Sequence, residues 1–387
     1  MTANELHKKL FNEYDNYYQT GFESRYITPD KLKETISRQA TGRTLTAGLL
    51  GESFEGREIF SITAGKGKIN ILLWSQMHGD ESTATRALFD VFAFLNADND
   101  GYEAVRQTIL QNFSLCFVPM LNPDGAMRWQ RRTAQYIDMN RDALRNITVE
   151  GQLLQNIFKS IKPTYAFNLH DQASYYSAGA TANPATISLL APSVDDKDTI
   201  PEKRYRSMQL VCFFNNVLQQ YIPGCVGKWK DNYEPRAFGE HFQSLGAATV
   251  LIESGGRKND LERNLARKLN FILLISAFYA IATNSIQQED ISNYKQIPVN
   301  FKEGIFDIIY KNAILKQNDK EYTCDIGVRR SEKLNVNGEL TSSFIIEDIG
   351  DLSPFGAFET IDVKSKIVNK NDIPIMIGNE VYLEILS

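Results

Sequence analysis

Histidine and cysteine are scarce in this chain, and the scarcity is informative. Among 387 residues there are four of each. The cysteines, Cys116, Cys212, Cys225 and Cys324, have the spacing of neither a zinc knuckle nor a redox pair. Three sit in apolar surroundings and read as reduced core residues, the usual fate of free cysteine. No basic stretch stands out and the formal net charge is −5, so nucleic acid is not an expected partner. No segment approaches the roughly 18 uninterrupted apolar residues of a membrane span. The most apolar stretch, Leu269–Ala282, contains Asn270, is too short to span, and reads as a buried helix. Residues 1–14 lack the apolar segment of a secretory leader, so none is expected, and a reducing, cytoplasmic location follows. Gly51-Glu52-Ser53-Phe54-Glu55-Gly56 is not a nucleophile elbow, because that turn needs Gly two residues after Ser.

What is present is an ordinary globular composition, 43% hydrophobic and 23% charged, with length for two domains or one large one with an appendage. Residues 1–44 carry two polar-faced helical segments, 5–17 and 29–39, expected to pack on the outside of the body. A hairpin is expected over 45–63, then strands at 69–76, 113–120, 165–169 and 247–253. Helices alternate with them at 82–95, 103–112, 150–160, 201–221 and 260–286. Residues 122–125 have turn chemistry. The Ala-, Ser- and Thr-rich stretch 171–200 reads as a long loop serving a site. Apolar strands alternating with helices predict an α/β domain over 1–289, a mixed, mostly parallel sheet with helices on both faces. Beyond residue 290 helical periodicity stops. Short strands and the hairpin signal Asn337-Gly338 predict a small all-β domain over 290–387, of unknown role.

The chemistry gathers at strand ends. Met77-His78-Gly79-Asp80-Glu81 follows the apolar strand 69–76, and imidazole and carboxylate three residues apart can reach one metal ion. His170 closes a second strand. Two His and one Glu leave a fourth tetrahedral position open, as in a catalytic zinc site. Glu253 ends a third apolar strand, where partial desolvation raises a carboxylate pKa toward that of a useful base. His78, Asn122, His170 and Glu253 occupy the carboxyl ends of four strands, where α/β sheets place their sites. Arg128–Thr133 and Ile137–Asp142 are rich in Arg, whose planar fork suits a carboxylate. Together with Asn140 they could hold an anionic end group such as a peptide's terminal carboxylate. His7 and His241 read as satisfied polar residues.

Taken in order, these residues resemble the zinc carboxypeptidase A family. The resemblance spans about 45–285 and rests on Gly-x-Ser-x-x-Gly-Arg (51–57), His-Gly-Asp-Glu (78–81), Asn-Pro-Asp-Gly (122–125), an Arg-to-Asn-Arg stretch (131–141), His170 and Glu253. It implies one zinc ion held by His78, Glu81 and His170. It further implies Glu253 as general base, Arg131 as the oxyanion stabiliser, and Asn140 with Arg141 as the terminal-carboxylate clamp. Asp138 would orient His78, and Tyr233, 20 residues before Glu253, is the candidate for the tyrosine that covers substrate.

Three departures stand out. Asp142 follows Arg141 where the family usually has Asn, and pairing between the two would weaken the clamp. Asp171-Gln172 follows the third ligand where Ser is common. The base of the side-chain pocket falls near Arg236 and Phe238, which leaves acidic and apolar preferences both open. The expected activity is hydrolysis of the C-terminal residue of a peptide with a free carboxylate. Two alternatives stand beside it: an amidase of similar fold acting on N-acyl amino acids or cell-wall peptides, and a non-catalytic zinc- or peptide-binding protein. Oligomeric state is unspecified.

Overall fold

The computed structural model describes residues 2–39, 43–317, 320–364, 366, 368 and 375–381. The strands are β1 (Leu45–Glu52), β2 (Glu58–Ala64), β3 (Ile69–Ser75), β4 (Phe113–Val118), β5 (Tyr165–Asp171), β6 (Ser177–Ala178), β7 (Ile187–Leu190), β8 (Val226–Lys228), β9 (Ala248–Ser254), β10 (Asn300–Phe301), β11 (Ile305–Gln317), β12 (Lys320–Leu334), β13 (Leu340–Gly350), β14 (Gly356–Asp362) and β15 (Glu380–Val381).

An eight-stranded mixed sheet runs β1-β2-β4-β3-β5-β9-β7-β8. Its centre, β4, β3, β5 and β9, is parallel. β2 runs antiparallel to both β1 and β4 at one edge, and β7 runs antiparallel to β9 at the other.

The two-residue period of a strand sorts the central side chains between two cores. Ile71 and Leu73 face the larger core with Leu115, Phe117, Phe167 and Val250, against helices Thr83–Asn96 and Asn264–Ala282. Leu72 and Trp74 face the other with Val118, Phe158 and Phe242, against helices Val149–Ile161 and Phe238–Ser244. Both faces are therefore covered, as the near-continuous apolar strands predicted.

Helix Asn264–Ala282 has 19 residues, longer than the stretch the sequence reading judged too short to span. By length and composition it could cross a bilayer, yet 78% of it is buried inside the protein.

The N-terminal extension is more deeply integrated than predicted. Leu6, Leu10, Tyr14 and Tyr17 join the larger core rather than resting outside it. Its first helix opens on a Thr2/Glu5 capping box. Buried Arg267 donates to Asp90 at 2.6 and 2.7 Å, and Tyr14 donates to the same carboxylate.

Four short elements escaped the sequence reading. The 171–200 stretch contains β6 and β7, residues 226–228 form β8, and 238–244 form a helix. Each is too short to display a period and is held by neighbours, β7 by β9 and β8 by β7.

A second sheet of five strands runs β14-β11-β12-β13-β15. Its β12–β13 hairpin closes through Asn335, whose Oδ1 accepts from Asn337 and Glu339, with Gly338 at φ +77°. That turn is where Asn337-Gly338 predicted it. Of the strand predicted at 380–385, Glu380–Val381 pairs with β13, and the remainder lies outside the described residues.

Candidate functional site

The central strands bring the predicted residues to one edge. β5 and β9 pair in parallel with His170 opposite Glu253, so ligand candidate and base candidate are neighbours across the sheet. His78 and Glu81 lie in the loop after β3, which needs close backbone approach. A Cβ at Gly79 would stand 2.0 Å from the Gly125 carbonyl carbon, so glycine alone fits there. Gly125 belongs to the short helix Pro123–Met127, capped by Asn122 where a turn was predicted. Asp124 of that helix accepts from Ser53 Oγ at 2.7 Å and Arg57 Nη1 at 2.7 Å. The motifs at 51–57, 78–81 and 122–125 are thus one interlocked support.

His78, Glu81 and His170 are buried, with potential ligand atoms within 4.8 Å of one another. The two Nδ1 atoms face the two oxygens of one carboxylate: His78 Nδ1 lies 2.8 Å from Glu81 Oε1, and His170 Nδ1 2.7 Å from Glu81 Oε2. The Asp171 backbone N–H also donates to Oε2 at 3.2 Å. His78 Nε2 is 3.1 Å from Asp138 Oδ1, the predicted orienting contact. Asp138 accepts only, so Nε2 carries the proton and a neutral His78 turns its Nδ1 lone pair toward Glu81. Lone pair facing carboxylate calls for a cation. Arg131 Nη1 supplies one here, 2.9 Å from His78 Nδ1 and 3.0 Å from Glu81 Oε1. His170 Nε2 is buried with no hydrogen-bond partner among the described residues. Two imidazole nitrogens and a carboxylate converging in this way fit zinc.

Electrostatics separate the two glutamates. Burial alone would raise the Glu81 pKa, but the neighbouring His78 and His170 hold it well below the usual range. Burial and the Glu81 charge push Glu253 well above its ordinary value, with Arg131 opposing. Glu253 Oε2 has no hydrogen-bond partner among the described residues, so one carboxylate oxygen is open to take a proton. Burial also pushes Asp80 up to about 6. Asp138 moves the other way: burial raises it, but His78 and Arg131 outweigh that and hold it down.

A cavity of about 1430 Å³ joins the metal-ligand candidates to Arg131, Asn140, Arg141, Tyr233 and Glu253. Asn140 Oδ1 accepts from the Phe238 backbone N–H at 3.0 Å, which leaves its amide nitrogen for a ligand. Arg141 is 42% exposed and lies 3.6 Å from Glu234. Asp142 does not weaken it, because that carboxylate accepts from Ile147 N, Thr148 N and Thr148 Oγ1 at 2.8–2.9 Å. Arg236 pairs with Glu234 on the surface, and Phe238 is buried in the smaller core. Among the cavity residues missed by sequence reading is Glu240, 7% exposed, in the first turn of helix Phe238–Ser244. Burial pushes it up to about 7. His7 and His241 are satisfied elsewhere, by Tyr221 and Asn4 and by Gln155.

Residues 37–191 match the model of the zinc carboxypeptidase family. A carboxypeptidase 2 of Trichophyton rubrum is 26% identical over 117 residues, 30% of this chain and 20% of that protein, so this chain spans about a fifth of the relative's length. A metallo-carboxypeptidase structure from Burkholderia cenocepacia shares the fold with a TM-score of 0.55 at 14% identity, covering 66% of this chain and 69% of that one. One from Pseudomonas aeruginosa, in complex with (2-guanidinoethylmercapto)succinic acid, gives 0.51 at 16% identity, covering 65% and 68%.

Proposed function

We propose that this chain is a member of the zinc carboxypeptidase family, whose model matches residues 37–191, and that it removes the C-terminal residue from peptides with a free carboxylate. The observation that carries this reading is the convergence of both Nδ1 atoms on Glu81 beside a partner-free Glu253 oxygen.

His78, Glu81 and His170 would hold one zinc ion. When bound, zinc supplies Lewis-acid polarisation of the scissile carbonyl and acidifies a water. Glu253 takes the attacking water's proton and passes it to the leaving amine. Arg131, whose Nη1 lies 3.0 Å from Glu81 Oε1, would donate to the developing oxyanion, an effect worth about 3–4 kcal/mol in comparable sites. Asn140 and Arg141 bind the terminal carboxylate. Tyr233, on the cavity wall, closes over it. Asp138 keeps the His78 tautomer.

The side-chain pocket favours basic over acidic residues. Glu240 lines the cavity, and among the described residues its carboxylate makes no side-chain hydrogen bond or ion pair, though the Arg141 charge acts on it, whereas Arg236 is paired with Glu234. The succinic acid bound by the Pseudomonas enzyme carries a guanidino arm, consistent with this preference in a similar fold.

A peptide panel varied at the last residue, with free and amidated ends, tests the reading alongside metal analysis. Free-ended peptides ending in Lys or Arg should be cleaved and amidated ones spared. Glu240→Gln should lower kcat/KM for the basic peptides on the order of 10-fold, the scale of a charge-assisted contact. Cleavage of amidated peptides would point to the amidase alternative, and zinc bound without any cleavage to a binding protein.

A further inference from the structure

The ends of β5 and β9 carry a buried ion pair that the reaction does not require for its chemistry. Asp171 Oδ2 accepts from Thr83 Oγ1 at 2.7 Å and from Thr83 N at 3.3 Å, two residues after Glu81. Arg263 Nη1 donates to the Ser254 carbonyl at 2.5 Å and lies 3.6 Å from Asp171 Oδ2. One Asp–Arg pair therefore ties together the three segments bearing Glu81, His170 and Glu253. Arg263 itself stands in the left-handed region at φ +54°, which is uncommon for a residue with a Cβ.

The C-terminal sheet grips the same corner. Glu332 of β12 pairs with both Arg25 and Arg330. Arg330 also donates to the Leu261 carbonyl at 3.4 Å, two residues before Arg263. The Arg25 backbone N–H donates to Glu262 at 2.7 Å, and the Arg25 carbonyl accepts from Ser82 Oγ, the residue after Glu81. Phe358 of β14 packs so close to Gly256 that a Cβ there would meet its ring at 3.0 Å. Arg25 and Glu332 line the catalytic cavity, and both also line a second cavity of about 770 Å³ between the body and the C-terminal sheet.

We propose that Asp171 and Arg263 are positioning residues that hold Glu253 and the metal ligands in register, and that the C-terminal sheet completes this crosslink through Glu332. The sheet is then a working wall of the active site rather than an appendage. As far as turnover goes, this rests on the hydrolase reading. Zinc affinity tests it independently.

The experiment uses the full chain with Asp171→Asn, Arg263→Met, Arg263→Lys, Glu332→Gln and the double Asp171→Asn/Arg263→Met. The measurements are kcat, KM and zinc affinity by chelator competition. Asp171→Asn and Arg263→Met should each lower kcat on the order of 10-fold or more with KM nearly unchanged, the usual scale for residues that orient ligands. The double variant should be no worse than the weaker single one, because the pair acts as a unit. Arg263→Lys should restore part of the loss, Glu332→Gln should cost several-fold in kcat, and Asp171→Asn should bind zinc on the order of 10-fold more weakly. Wild-type kcat and zinc affinity in folded Asp171→Asn and Glu332→Gln would overturn the proposal, as would losses that add in the double variant. If Arg263→Met does not fold, Arg263→Lys and Glu332→Gln decide. If the wild-type chain cleaves nothing, the hydrolase reading fails, and zinc affinity in Asp171→Asn alone judges the crosslink: a fall supports it and no change overturns it.

Discussion

The two sheets use their polar residues differently. In the central sheet the strands are apolar on both faces, and chemistry is confined to the last one or two residues and the loops beyond, as at His170 and Glu253. In the C-terminal sheet the polar residues sit within the strands. Arg329 of β12 stacks on Tyr175, Arg330 donates to the Leu261 carbonyl and Glu332 pairs with Arg25, while Ile326 and Val328 of the same strand are buried in the sheet's own apolar cluster. A sheet covered on both faces can expose function only at its rim. One that carries charged residues within a strand can make polar contacts along that strand's length. The first arrangement is rigid and local. The second makes the site depend on a segment distant in sequence.

Three substitutions sharpen this contrast, in order of expected effect. Glu253→Gln, at the rim of the central sheet, should remove on the order of 1000-fold or more of kcat and leave zinc bound. Stopped assays with metal analysis check it, and near-normal turnover would remove Glu253 from the base role. On the proposed base role, the same residue should set the acid limb of the pH profile. A base must be deprotonated, and Glu253 is held above its ordinary 4.5, so kcat/KM should climb with pH through a limb above 4.5. A limb at or below that value would contradict the assignment.

Arg141→Met, in the loop beside the rim, should raise KM by roughly 10- to 100-fold, the worth of a charge-assisted pair, with kcat less affected. Equal losses for free and amidated peptides would show that Arg141 does not read the carboxylate. Ile326→Val, on the far face of the C-terminal sheet, should cost about 0.5–1.5 kcal/mol of stability by denaturant titration and leave kcat unchanged. A fall in kcat there would mean that the whole sheet, and not its polar face alone, tunes the site.

Much of this was legible in the sequence, for a reason particular residues show. His78 and Glu81 are near in sequence, and His170 and Glu253 each terminate an apolar run, so local pattern suffices to find them. The pairing of His78 with Asp138 follows the family resemblance and appears at 3.1 Å. Glu240 was missed because its helix, Phe238–Ser244, has only seven residues and no long periodicity. The Asp171–Arg263 pair was missed because its partners are 92 positions apart and are brought together by the β5–β9 register. The depth of the N-terminal extension escaped for a similar reason: Tyr14 and Tyr17 look amphipathic locally, and partners distant in sequence, Asp90, Asp100, Phe94 and Phe271, explain their burial.

Asp142 carries a lesson for reading related chains. Its carboxylate fastens the start of helix Val149–Ile161 through Thr148, which in turn caps Gly151 at 3.1 Å. The acid next to the clamp arginine is therefore part of a two-residue grammar with a hydroxyl six positions later. In a collection of such sequences, Asp at this place should travel with Ser or Thr at the second. An Asp that lacks this companion would be free to turn on its neighbouring arginine, and its bearer should bind C-terminal carboxylates poorly.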